Sequence, residues 1–131
     1  MKANELRIGN WYKNNDYFIT YNQITAEEIL ELKDNPDYDY YKPIEITEQG
    51  LLRFGFTLNK IHNYYFIQNS DGYIHSIKYF EKDEFLDEDS GWAYFIDDSD
   101  ASCHRLCMIN YIHELQNLYF AINKTELIIT Y

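Results

Sequence analysis

The chain has 131 residues, 46% of them hydrophobic, and 22 acidic against 11 basic side chains leave a formal net charge of −11. That length suits one domain over residues 1–131, which buries about two-thirds of its unfolded surface and needs neither a metal nor a disulfide to fold. The charge works against direct DNA or RNA binding, which is built on cationic contacts, and no apolar run reaches the roughly 18 to 20 residues of a membrane helix.

In chain order, "ELRIGNWYKNNDYFITYNQIT" alternates at Leu6 and Ile8 and again at Tyr17, Ile19 and Tyr21, which predicts two or three short strands in a meander. "TAEEILEL" carries a capping-box spacing from Thr25 to Glu28 ahead of Ile29, Leu30 and Leu32, and Asn35-Pro36 stops that helix after two turns. "TEQGLLRFGF" predicts a second short helix, capped by Thr47, ended by Gly55, and buried through Leu51, Leu52 and Phe54. Tyr64 to Ile67, Asp71-Gly72 and Tyr73 to Phe80 read as a hairpin. From Glu81 to Asp100 the chain holds nine acids and one lysine, as solvated loops around an aromatic strand at Trp92 to Ile96. "ASCHRLCMI" reads as a strand, followed by a long helix at about 109–123 and a last strand in "TELIITY". In the long helix, Met108, Tyr111, Leu115, Leu118 and Ile122 form the expected buried stripe, widened by Ile112 and Tyr119.

The fold class expected is therefore α+β: an antiparallel twisted sheet or partial, SH3-like barrel packed against one long C-terminal helix, with two short helices. The 14 Tyr imply many rings at the core boundary, each hydroxyl needing a partner or water. "MKANELRIGNW" lacks the apolar segment of a secretory signal, so a cytoplasmic setting is expected, with Cys103 and Cys107 as reduced thiols.

Chemical motifs are sparse. "CHRLC" offers two thiols and His104, but structural zinc needs four ligands, commonly as two close pairs, and His62, His75 and His113 are scattered singles. The two thiols read instead as small buried hydrophobes. "DEFLDEDS" lacks the offsets and central Gly of a calcium loop, and no Gly-rich phosphate cradle occurs. No metal, cofactor or catalytic residue is expected. His113, Gln116 and Asn117, at i, i+3 and i+4, share one side of the long helix. They read either as an internal brace for neighbouring backbone groups or as a neutral recognition stripe. Trp11, Tyr73 and Trp92 join them as candidate ligand- or partner-binding residues.

Three segments together, "ELRIGNW", "YKPIEITEQGLLRFGF" and "YIHELQNLYFAI", resemble a family of short hypothetical proteins of Bacteroides-type bacteria and their phages and prophages. Members begin with a similar LRIGNW, continue with a P-I-x-L-T helix ending in GF, and carry a Y-V-H-x-L-Q-N-L-Y-F-A-L helix. The chain departs at Glu45-Ile46, where the family often has a proline and a leucine, and the stretch from Glu81 to Asp100 has no counterpart. The resemblance transfers no catalytic residues. It implies a phage- or prophage-type accessory protein that binds a host or self protein, by analogy with anti-defence inhibitors, through an acidic, Tyr-rich surface. Homo-oligomerisation is compatible with this. A small-molecule, nucleotide-like binder and a Cys/His hydrolase are the alternatives.

Overall fold

The computed structural model describes residues 1–68, 72–81, 90–97, 103–129 and 131. Asp71 of the expected turn, the acidic run at 82–89 and residues 98–102 lie outside these, as does the side chain of Cys103. The fold class is α+β, and the described residues form two antiparallel sheets of two and five strands and three α-helices. The described strands close no barrel. The chain divides into two compact units: Met1–Glu45 with Tyr111–Leu127 and Tyr131, and a second made chiefly of Ile46–Asn110.

The first unit opens with a single 3-10 turn, Ala3–Glu5, and Leu6 and Ile8, where strand alternation was expected, lie in no strand. Strand β1, Trp11–Asn14, pairs antiparallel with β2, Thr20–Gln23, with Trp11 opposite Gln23 and Asn14 opposite Thr20. Tyr17 and Ile19, expected within a strand, fall in the connection before β2. Helix α1, Ala26–Asp34, starts as its capping box predicts. The Thr25 hydroxyl oxygen accepts the Glu28 N–H at 3.3 Å, and the hydroxyl donates to the Glu28 carboxylate at 3.0 Å. Such a cap contributes about 1 kcal/mol. Leu32 is buried but Leu30 is exposed, because only one side of the helix meets the core formed by Tyr12, Ile24, Leu32 and Tyr41. The Tyr12 and Tyr41 rings meet edge to face at 5.0 Å.

Helix α3, Ile112–Asn123, completes this unit, tied by the Ile112 N–H to the Ile44 carbonyl at 2.8 Å. Its buried residues are Ile112, His113, Leu115, Gln116 and Tyr119. The buried face is thus turned by about one residue, roughly 100°, from the expected stripe. Met108 lies in the preceding strand, Tyr111 is the N-cap, and Leu118 and Ile122 are only half-buried. The described part of "TELIITY" forms no strand; Glu126 is held instead by Arg7.

In the second unit, α2, Glu48–Arg53, is capped by the Thr47 hydroxyl oxygen, which accepts the Gly50 N–H at 3.0 Å. Gly55, with φ +94°, ends the helix in the left-handed region that glycine enters without strain. Leu51 and Phe54 are buried, whereas Leu52, on the other side of this short helix, is exposed. Five strands follow as a meander: β3, Thr57–Asn59; β4, Tyr64–Gln68; β5, Ile74–Phe80; β6, Gly91–Asp97; and β7, Cys103–Ile109. Tyr65, Ile77 and Tyr94 lie opposite one another across β4, β5 and β6, and all three are buried. That row of cross-strand contacts holds the sheet's register. The thiol-bearing strand is present, but Cys107 is exposed on it and is not a buried small hydrophobe.

Candidate functional site

The polar residues of α3 meet the N-terminal segment of the first unit. Gly9, with φ +91°, turns the chain so that its carbonyl faces two amide donors, Gln116 Nε2 at 3.3 Å and Gln23 Nε2 at 3.1 Å. Gln116 Oε1 accepts the Trp11 N–H at 2.9 Å, so one buried side chain serves two backbone groups at the start of β1. Asn10, also buried, accepts the Arg7 N–H at 2.7 Å and donates to Asn117 Oδ1 at 2.9 Å. Asn117 in turn accepts from Arg7 Nε at 3.2 Å and donates to the Glu5 carbonyl at 2.8 Å. The Arg7 guanidinium lies 4.1 Å from the centre of the Phe120 ring and donates two bonds to Glu126, at 2.6 and 3.2 Å. The "LRIGNW" and "HELQN" segments are therefore two halves of one hydrogen-bonded brace. Arg7, Asn10 and Glu5 belong to it and were not singled out in the sequence. Their signal was the short polar spacing Arg7-x-Gly9-Asn10, which has no periodicity to reveal it.

His113 differs from its neighbours. Its side chain is 1% exposed and neither ring nitrogen has a hydrogen-bond partner. Its ring stacks on Tyr111 with centroids 5.7 Å apart, and Nε2 lies 3.7 Å from Glu5 Oε2. Burial lowers its pKa, outweighing the Glu114 and Glu5 carboxylates, which act to raise it.

The six candidate residues are divided between the two units. Trp11, His113, Gln116 and Asn117 lie in the first unit, and Tyr73 and Trp92 in the second. The Trp11 ring packs edge-on to Tyr131 at 5.0 Å, while Tyr73 is exposed. Trp92 is a core ring, within 6.1 Å of Tyr65 and 5.3 Å of Tyr79. A cleft of about 400 Å³ in the first unit is lined elsewhere, by Lys13, Tyr38, Tyr41, Lys42 and Tyr111 among others.

Among the described residues, a run of three exposed large apolar side chains falls where sequence periodicity placed a strand. Tyr17, Phe18 and Ile19, consecutive at the tip of the β1–β2 hairpin, are 97%, 75% and 59% exposed. Asn14 Oδ1 accepts the Asp16 N–H at 2.9 Å and fixes the entry to that tip. Among the described residues, no helix is long and apolar enough to cross a membrane. No family model, curated protein or solved structure matches the chain.

Proposed function

We propose that this is a non-enzymatic binding protein that docks on a protein partner through the tip of its first hairpin. The observation that carries this is the run Tyr17-Phe18-Ile19, three large side chains standing in solvent on a chain of net charge −11. Large aromatic side chains presented together are the usual anchors of protein interfaces, since they offer wide contact at low conformational cost. The net negative charge of the chain favours a partner whose pocket is rimmed by Lys and Arg, and speeds the encounter with it. The brace around Gln116 and Asn117 supports a scaffolding role for α3, because its amides are spent on backbone groups of the same unit. The proposed setting is the cytoplasm of a bacterium or phage-infected cell, with a component of host defence as target. It rests on the resemblance of the three sequence segments.

The test is capture from host lysate by the immobilised wild-type protein and by Phe18→Ser. The wild type is expected to retain a partner whose recovery weakens as salt rises above about 0.1 M. Phe18→Ser is expected to lose it at an unchanged melting temperature. Equal capture by the two proteins, or capture indifferent to salt, overturns the proposal.

A further inference from the structure

Glu5, His113 and Glu114 come together where the 3-10 turn meets the start of α3. One ligand atom from each lies within 4.8 Å of the other two. Both carboxylates are oriented by backbone donors. Glu5 Oε1 accepts the Lys2 N–H at 2.9 Å, leaving Oε2 turned toward the imidazole, and Glu114 Oε2 accepts the Tyr111 N–H at 3.2 Å. Two acids alone would be an ordinary surface pair. The independent observation is His113, a side chain 1% exposed whose two ring nitrogens have no hydrogen-bond partner. A buried polar atom left in that state destabilises the fold unless something else occupies its lone pair.

We propose that Glu5, His113 and Glu114 bind a divalent transition cation of the zinc type. Bonds from such an ion to imidazole nitrogen and carboxylate oxygen are about 2.1 Å, so two ligands of one ion stand no more than about 4.2 Å apart. The 3.7 Å between His113 Nε2 and Glu5 Oε2 lies inside that limit and is too long for a hydrogen bond. It corresponds to an angle of about 120° at the ion. Glu114, with a ligand oxygen within 4.8 Å of the other two, completes the set. Two carboxylates balance a dication's charge, and the imidazole selects a transition metal over Mg²⁺ or Ca²⁺. Three protein ligands leave a fourth position for water. The bound ion would join the 3-10 turn to α3, clipping residues far apart in sequence within the first unit.

The test adds ZnCl₂ to chelator-treated full-length protein by calorimetry, with MgCl₂ as control, alongside Glu5→Gln, His113→Gln and Cys107→Ser. Co²⁺ absorption provides a second readout of direct ligation. One Zn²⁺ per chain is expected, with Mg²⁺ silent and Cys107→Ser unchanged. Glu5→Gln is expected to weaken binding by about tenfold or more and to alter the Co²⁺ spectrum. Glu5 is partly exposed, so its variant tests the site even if His113→Gln fails to fold. No stoichiometric Zn²⁺, or Zn²⁺ binding untouched by Glu5→Gln but lost in Cys107→Ser, overturns the proposal.

Discussion

Tyr12 and Tyr41 bury their rings in the first unit and donate their hydroxyls to Glu28 and Glu31, each at 2.9 Å. Burial foremost, then the carboxylate that accepts each proton, pushes both hydroxyls well above their ordinary value of 10.0. An unfolded tyrosine releases its proton near pH 10, whereas these two keep theirs when folded. The unfolded state is therefore favoured progressively above that pH, and the stability lost is fully present below it. Urea midpoints measured from about pH 8 to 11 should fall less steeply in Tyr12→Phe than in the wild type. Parallel curves would remove Tyr12 as a source of the loss. At this scale the sequence was half legible. The abundance of Tyr implied rings at the core boundary with hydroxyls needing partners. It could not name Glu28, sixteen residues away across a strand and a turn.

Between elements, the decisive contact is that of α3 with the start of β1. Replacing Gln116 with Ala leaves the Trp11 N–H and the Gly9 carbonyl short of a buried partner. The expected cost is about 1 to 3 kcal/mol, read as a lower urea midpoint at unchanged slope. A loss below about 0.5 kcal/mol would mean that water replaces the amide without penalty. Local signals served well here. The Thr25 and Thr47 caps and the Gly55 stop act within one helical turn, so their residues predict them directly. The face of α3 was different. Apolar side chains occur all round this helix, and periodicity admits two phases one residue apart. Centring the buried stripe on Met108, Tyr111, Leu118 and Ile122 chose the wrong one. A glutamine whose partners are backbone groups of another element buries as completely as leucine, and no pattern within the helix records where those partners are.

For the molecule as a whole, no glycine- or proline-rich linker marks the change from one unit to the other near Glu45 or near Tyr111, so the division was not legible either. The first unit draws on chain lying on both sides of the second in sequence, and this sets an order of events during synthesis. The β4–β5 and β5–β6 pairs join neighbours in the chain and can close while translation continues. Tyr12, Ile24, Leu32 and Tyr41 can also gather early, all four lying before residue 45. Arg7 cannot meet Asn117 until 110 further residues have been made. Until then the backbone at Gly9 and Trp11 has only water where Gln116 will later bond. Pulse-labelled refolding should find the β5 and β6 amides protected before that of Trp11, and simultaneous protection would refute this order. A ribosome carrying the nascent chain would thus hold β4, β5 and β6 paired and the first unit still waiting for its last helix.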